Sequence, residues 1–187
     1  MGNLYLHIGD ITSDNILKLG DAIVNPTNPM MRFGCGVSGA IFKKAGIDEL
    51  ESYVERRFGI TYYDSSRSNE MKVTEVRITQ GFKCPCDIIF AQGPRIWDYS
   101  STDEAISMLV QTYQNILDAS VKQGYRSILL PSLGTGEYGF THKQVAEKII
   151  SLLKTFINKN SLTIHFVLYD KDAYDIYNKY LYANTDI

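Results

Sequence analysis

The chain of 187 residues lacks the marks of several protein classes. It contains three cysteines, an odd number that argues against a disulfide framework. Its N-terminus has no basic region followed by an apolar one, as a secretory leader would, and no apolar run approaches the roughly 20 residues that span a bilayer. We therefore expect a cytoplasmic protein with no membrane partner.

The chain also has no excess of positive charge. Lys and Arg together number 19 against 21 for Asp and Glu, which gives a formal net charge of −2. Duplex DNA and anionic membranes are usually bound by a basic surface, and the overall composition provides none. Nucleic acid bound through a local patch stays open as a minor alternative.

No metal or cofactor site is evident in the sequence. Cys84-Pro85-Cys86 is too tight for a metal knuckle of the C-x-x-C type, and no second pair completes a zinc site. The composition is that of an ordinary globular protein, with 44% hydrophobic and 21% charged residues. We expect one domain over residues 1–187, without a cofactor, and two thiols at a loop-to-strand junction.

Apolar periodicity predicts alternating strands and helices. The predicted strands cover residues 4–8, 22–24, 73–79, 87–91, 127–130 and 162–168. The predicted helices cover 13–17, 37–44, 47–58 and 173–181, with two long ones capped by Thr102 and Thr141. Such alternation is typical of an α/β fold with a mostly parallel sheet covered on both faces.

Glycine and proline concentrate in three stretches, residues 25–39, 81–94 and 131–139. Two of these follow directly on predicted buried strands that end at Val24 and Leu130. In open α/β sheets, ligands lie beyond the carboxyl ends of the strands. The sequence therefore predicts one crevice built from loops that are far apart in the chain.

Two glycine-rich loops in this crevice are suited to bind phosphate. Residues 34–39 open a helix, and residues 131–139 join a strand to the next helix, so backbone N–H groups can approach an anion. The spacing G-x-G-x-x-G of a dinucleotide-binding fingerprint is matched by Gly34, Gly36 and Gly39. That fingerprint needs a strand immediately before its first glycine, and residues 30–33 are a poor sequence for a strand. The second loop lacks the Lys-Ser/Thr of a P-loop, so hydrolysis of a nucleoside triphosphate is not implied.

Polar side chains next to these loops suit the other parts of a nucleotide. Asn25 and Asn28 offer donors and acceptors for ribose hydroxyls, although Asn-Pro is also ordinary turn chemistry. Asp10 follows the first strand and can accept from an exocyclic amine such as that of adenine, or can cap a helix. Tyr138, among glycines, can lie against a sugar. Together these features suggest a ligand with two phosphates, a sugar and a base.

The same segments, in this order, resemble the macro domain family. The resemblance is carried by Gly9-Asp10-Ile11-Thr12, by residues 22–28, by residues 34–41, by Gly93-Pro94 with Trp97, and by residues 131–136. It implies a three-layer α/β/α sandwich around a central mixed, mostly parallel sheet. It also implies binding of ADP-ribose, free or attached to a macromolecule.

The resemblance assigns a role to each part of the crevice. Asp10 and Ile11 would meet the adenine, Asn28 the distal ribose, and Asn25 would support the turn. Tyr138 would pack beside the distal ribose. The remaining implied ligand contacts, mostly through the backbone around the diphosphate, are Gly36, Val37, Ser38, Ser132, Gly134, Thr135, Gly136 and Glu137.

The sequence departs from the catalytic patterns of the family. MacroD-type hydrolases carry an Asp just after the glycine run, credited with positioning water, where this chain has Ser38. A second group uses a Lys and an Asp near the second loop, where this chain has Glu137 and Tyr138. Asn28 and Ser38 are therefore the candidate catalytic residues of a slow hydrolase of ADP-ribosyl groups or of O-acetyl-ADP-ribose.

Three functions stay open on the sequence. The first is a binding module for ADP-ribose, in the manner of a histone-variant macro domain, with slow hydrolysis as a possible addition. The second is a competent mono-ADP-ribosyl hydrolase acting on modified protein or nucleic acid. The third is a module that binds RNA or poly(A) through the adenine pocket.

Overall fold

The computed structural model describes residues 1–61, 63 and 65–183. In this part of the chain six strands form one sheet in the order β1-β6-β5-β2-β4-β3. They are β1 (Leu4–Ile8), β2 (Ala22–Pro26), β3 (Val76–Thr79), β4 (Asp87–Ala91), β5 (Ser127–Pro131) and β6 (Thr163–Leu168). The pairings are parallel except for β3, which runs antiparallel to β4 at one edge.

Helices cover both faces of the sheet, as the alternating apolar runs require. They are α1 (Asp14–Leu17), α2 (Gly36–Ala45), α3 (Ile47–Phe58), α4 (Thr102–Gln123), α5 (His142–Lys159) and α6 (Lys171–Tyr182). Val24 packs with α4, α5 and α6 in one hydrophobic core, and Ile23 packs with α1, α2 and α3 in the other. Successive strand residues point to opposite faces, so each central strand contributes to both cores. The predicted three-layer α/β/α sandwich with a mixed, mostly parallel sheet is confirmed.

Several predicted element ends differ from the observed ones for local reasons. Ser101, not Thr102, caps α4, because its side chain accepts a hydrogen bond from the backbone N–H of Glu104. Thr141 caps α5 as predicted, with a complete capping box. Strand β3 begins at Val76 because Thr74 has a φ of 71°, which interrupts extended backbone. The predicted surface loop over residues 61–71 includes positions 62 and 64, which lie outside the described residues.

The strand order brings together the loops that the sequence separates. Strands β2 and β5 are neighbours, so the turn after β2 and the glycine loop after β5 lie side by side at the carboxyl edge of the sheet. Strand β1, which is followed by Asp10, lies three strands away from β2. At about 4.8 Å between strands, that separation is about 14 Å. The loops at these strand ends therefore lie along one edge of the sheet, over a length suited to an extended ligand.

Candidate ligand-binding cleft

A cleft with a volume of about 340 Å³ opens at this edge of the sheet. The turn after β2, the loop that opens α2 and the loop after β5 line it. Among the predicted ligand contacts, those that line the cleft are Asn28, Gly36, Val37, Ser38, Ser132, Gly134, Gly136, Glu137 and Tyr138. Pro26, Thr27, Gly34 and Cys35 also line it and were not predicted as contacts. Asp10, Ile11, Asn25 and Thr135 lie outside this lining.

Backbone N–H groups converge on the cleft from two sides. Within the described residues, the N–H groups of residues 134–138 donate no hydrogen bond. Those of residues 36–38 form the first turn of α2, which has no side-chain cap. The first N–H groups of a helix have no partner inside the helix and carry partial positive charge. The two loops therefore present a row of free donors to an anion such as a diphosphate.

Close backbone packing shapes the first of these loops. Gly36 has a φ of 56°, in the left-handed region that glycine enters without strain. A Cβ on Gly39 would lie 2.3 Å from the carbonyl oxygen of Gly34, so only glycine lets α2 approach this loop. The spacing of these glycines thus allows a tight turn. A dinucleotide-binding fingerprint also needs a strand immediately before its first glycine, and among the described residues no strand lies between β2 and α2.

The two asparagines of the turn after β2 behave differently from each other. The Asn28 amide nitrogen donates to the carbonyl oxygen of Arg32 at 2.9 Å, and its oxygen accepts from the Arg32 N–H at 3.1 Å. Asn25 is fully buried, and neither atom of its amide has a hydrogen-bond partner among the described residues. The side-chain hydrogen bonds within this turn are therefore made by Asn28, and the role of Asn25 in supporting the turn stays a prediction.

Ser38 contributes a buried hydroxyl without a partner. Its side chain lines the cleft, the residue is 7% exposed, and Oγ makes no hydrogen bond within the described part of the chain. A Cβ built on Gly34 would lie 3.7 Å from Nδ2 of Asn28 and 4.0 Å from Oγ of Ser38. The two candidate catalytic residues therefore flank the same patch of backbone. A buried hydroxyl left unbonded costs about 1–3 kcal/mol, which a polar ligand or water can offset.

Two tyrosines fix the loop after β5. The hydroxyl of Tyr113, in the middle of α4, accepts from the N–H of Leu133 at 2.7 Å and donates to the carbonyl of Pro131 at 3.3 Å. The hydroxyl of Tyr138 donates to the carbonyl of Thr27 at 3.3 Å. The first tyrosine anchors the start of the loop from below, and the second ties its end to the turn after β2.

Ser132 belongs to a polar cluster beneath the cleft. Its Oγ lies 2.6 Å from the hydroxyl of Tyr177 and 3.4 Å from Nδ1 of His142, and the hydroxyl of Thr135 donates to it at 3.1 Å. The fold thus gives His142 a polar neighbour in Ser132. Because Ser132 is already held at short distance by Tyr177, the cluster serves to position the loop.

Asp10 and Ile11 lie at the end of β1, beyond the cleft. One carboxylate oxygen of Asp10 accepts from the N–H of Thr12 at 2.8 Å and from its hydroxyl at 2.7 Å. No hydrogen bond to the other oxygen, Oδ2, occurs within the described residues. The side chain is exposed, and Ile11 beside it is buried. An exposed carboxylate oxygen without a partner in the described part of the protein thus lies at the β1 end of this edge of the sheet.

A contact between Cys35 and Glu137 crosses the cleft. The thiol donates a 2.7 Å hydrogen bond to Oε1 of Glu137, which joins the loop before α2 to the loop after β5. This bond to a protein carboxylate raises the pKa of the Cys35 thiol, which favours the neutral thiol. Sequence reasoning could not find this pair, which is 102 residues apart.

The other two cysteines lie at the predicted loop-to-strand junction, and both are buried. Sγ of Cys84 lies 3.7 Å from Sγ of Cys86, where the loop enters β4, and both thiols are free. No group of three or more His, Cys, Asp or Glu that could hold a metal ion occurs in the part of the chain that the structure describes. None of the described helices is both long enough and apolar enough to cross a membrane.

A second depression lies elsewhere on the surface. It has a volume of about 580 Å³, and residues of α4 and α5 such as Ser107, Val110 and Glu147 line it. None of the strand-end loops contributes to its lining. Because, among the described residues, backbone N–H groups converge only on the smaller of these two depressions, the cleft at the sheet edge is the candidate ligand site.

Comparison with known proteins agrees with this geometry. The chain is 32% identical to an O-acetyl-ADP-ribose deacetylase of Citrobacter rodentium, covering 98% of this chain and 99% of the relative. It is 30% identical to histone macroH2A1.1 of Capsaspora owczarzaki, covering 98% of this chain and 47% of the relative.

Solved structures show the same fold. A macrodomain of Oceanobacillus iheyensis, solved with ADP, superposes with a TM-score of 0.83 at 30% identity, covering 96% of this chain and 90% of that one. A mutant of the same protein was solved with ADPR and gives a TM-score of 0.81, also at 30% identity, covering 96% and 92%. The Macro domain profile matches residues 24–149, and the chain is a member of the macro domain family.

Proposed function

We propose that this protein binds ADP-ribose, free or attached to a macromolecule, in the cleft at the carboxyl ends of β2 and β5. The row of unbonded backbone N–H groups at residues 36–38 and 134–138 is the observation that supports this most directly. Neutral N–H groups can hold a diphosphate without basic side chains. The formal net charge of −2 is compatible with that mode of binding.

This edge of the sheet also offers partners for the rest of the ligand. Asp10, whose Oδ2 makes no hydrogen bond among the described residues, would accept from the adenine amine at the β1 end. Asn28 and Tyr138 line the β2 end, where the distal ribose would lie. The relatives support this choice of ligand, since related macrodomains were solved with ADP and with ADPR.

We also propose that the protein slowly hydrolyses a derivative of ADP-ribose. A deacetylase is among the relatives that match nearly the whole chain, so O-acetyl-ADP-ribose is the substrate we propose to test first. Ser38 offers a hydroxyl where MacroD-type hydrolases have a carboxylate, so a serine alone would leave the reaction slow. Mono-ADP-ribosylated proteins or nucleic acids are the alternative substrates, and a binding module without activity is the alternative function.

Isothermal calorimetry with ADP-ribose, AMP and poly(A) tests the proposal. We expect micromolar or tighter binding of ADP-ribose and much weaker binding of AMP, because the diphosphate occupies both glycine-rich loops. Its affinity should depend only weakly on salt, whereas RNA bound through many phosphates would lose affinity steeply. Equal affinities for ADP-ribose and AMP would contradict binding by the two loops, and tight salt-sensitive binding of poly(A) would favour the RNA-binding function.

A further inference from the structure

Glu137 is the side chain in the cleft whose chemistry the resemblance does not use. Among the described residues that line the cleft, it carries the only carboxylate. The other polar side chains that line it belong to Thr27, Asn28, Cys35, Ser38, Ser132 and Tyr138. Amides and hydroxyls of this kind do not accept a full proton near pH 7, whereas an ionised carboxylate does. The cleft thus contains one group suited to act as a general base.

The fold holds this carboxylate over the cleft. Glu137 lies in the middle of the loop whose backbone N–H groups are free, and its Oε1 accepts from the Cys35 thiol at 2.7 Å. The loop itself is anchored through Tyr138 to Thr27. One oxygen of the carboxylate is therefore engaged by a neutral donor from the opposite loop. The other oxygen, Oε2, makes no hydrogen bond within the described residues and can accept from water.

Ser38 and Asn28 can complete a site for that water. The Ser38 hydroxyl is buried and makes no hydrogen bond among the described residues. It lies near Gly34, as does the Asn28 amide, and Gly34 directly precedes Cys35 in the chain. A buried hydroxyl needs a hydrogen-bonding partner, and a water in the cleft would supply one. Ser38 would then orient the water, and a separate group would have to take its proton.

We propose that Glu137 is the general base that activates water for hydrolysis of O-acetyl-ADP-ribose, and that Cys35 is its positioning residue. This inference rests on the proposed function. The water oxygen forms a bond to the acetyl carbonyl carbon while a water proton passes to the Glu137 carboxylate. The bond between that carbon and the ribose oxygen then breaks, and Glu137 returns the proton to the ribose oxygen. The products are ADP-ribose and acetic acid, which releases its own proton to solvent, so no oxidant, metal or other reactant is required.

One variant of the intact protein and a matched control test the role of Glu137 as the base. Glu137→Gln keeps an oxygen that can accept from Cys35 but removes the base, so kcat should fall by about 10²- to 10⁴-fold. Affinity for ADP-ribose should be unchanged or tighter, because a negative charge next to the diphosphate is removed. Glu147→Gln, on the exposed surface of α5, makes the same charge change away from the cleft and serves as the control.

The pH profile provides a readout that a merely structural role would not change. In the unmodified protein the pH profile of kcat should have an acid limb, which Glu137→Gln should lack. Cys35→Ser keeps a hydroxyl donor and should retain most of the rate, whereas Cys35→Ala should lower kcat by about tenfold without changing the affinity for ADP-ribose.

Calorimetry distinguishes failure of this inference from failure of the proposed function. If the unmodified protein does not bind ADP-ribose, the proposed function itself is wrong. If it binds ADP-ribose but releases no acetate from O-acetyl-ADP-ribose, or if Glu137→Gln binds normally and keeps the full kcat with its acid limb, Glu137 is not the base. The assignment is supported if Glu137→Gln loses kcat and the acid limb but still binds ADP-ribose, while Glu147→Gln keeps all three.

Discussion

The side-chain amide of Asn28 closes a ring with the backbone of Arg32, donating to its carbonyl at 2.9 Å and accepting from its N–H at 3.1 Å. This ring sets the turn that leads from β2 to the loop opening α2. Asn28→Ala should therefore lower the free energy of unfolding by about 1–3 kcal/mol, at about 0.5–1.5 kcal/mol for each hydrogen bond. It should also weaken ADP-ribose binding.

Urea denaturation and calorimetry on Asn28→Ala test this double effect. Asn15→Ala, at an exposed position on α1, is the matched control and should change neither quantity measurably. A variant at position 28 that keeps full stability would show that the two bonds do not hold the turn. One that is destabilised but binds ADP-ribose normally would separate the turn from the ligand.

The β1 end of the carboxyl edge of the sheet gives a second prediction. Asp10→Ala should lower the affinity for ADP-ribose by about tenfold or more, because a hydrogen bond to a charged acceptor contributes about 1.5–3 kcal/mol. Asp14→Ala removes an exposed carboxylate that pairs with Lys44 at 2.6 Å, and it should leave affinity nearly unchanged. Calorimetry on both variants checks this, and unchanged binding by Asp10→Ala would remove Asp10 from the site.

Tyr113 provides a test of how the second loop is held. Tyr113→Phe removes the hydroxyl that bonds Leu133 and Pro131, and it leaves a buried N–H without a partner. We expect a loss of about 1–3 kcal/mol in unfolding free energy, together with weaker ADP-ribose binding. Tyr169→Phe makes the same change on an 81% exposed side chain and should not alter stability. Equal urea midpoints for the two variants would contradict the anchoring role.

The histidines predict how stability depends on pH. Burial lowers the pKa of all three histidines, His7, His142 and His165, below the ordinary value of 6.5. The unfolded chain then binds more protons than the folded one below about pH 6.5, so the free energy of unfolding should decrease as pH falls through that range. The pKa of Asp14 and of Glu49 is lowered from 3.8 and 4.5, so these groups lose their contribution only at lower pH.

Urea denaturation between pH 7.5 and about 5 measures the slope that the histidines produce. His142→Gln removes one of the three groups and should flatten the slope, while Gln144→Ala on the same helix would not change a titrating group. His7 and His165 share a 2.9 Å hydrogen bond, so their contributions should not be additive. A constant free energy of unfolding over this range would contradict the prediction.

The sequence was sufficient to predict where the cleft lies. Apolar runs ending at Val24 and Leu130, each followed by glycines, predicted two strand-end loops with exposed N–H groups, and the model places both at one edge of the sheet. Local rules suffice here because glycine after a buried strand allows the positive-φ turns, such as those at Gly36 and Gly134, that leave backbone N–H groups free at a strand end. The same rules identified Thr141 as a helix cap.

The pairings across the cleft could not be predicted in this way. The bond of Cys35 to Glu137, and that of Ser132 to Tyr177, join residues 102 and 45 positions apart, so no local pattern encodes them. The roles of Asn25 and Asn28 were also not separable, since both residues are common in turns. Only the packing of β2 decides that the amide of Asn25 is buried while that of Asn28 bonds Arg32.

A crystal structure of the protein with ADP-ribose bound tests most directly whether the backbone N–H groups of the two loops hold the diphosphate. Phosphate oxygens should lie within about 3.2 Å of backbone nitrogens of residues 36–38 and 134–138, with those loops close to their present positions. A structure in which these N–H groups turn away from the diphosphate, or bond to other protein atoms while ADP-ribose lies elsewhere, would contradict binding by the two loops.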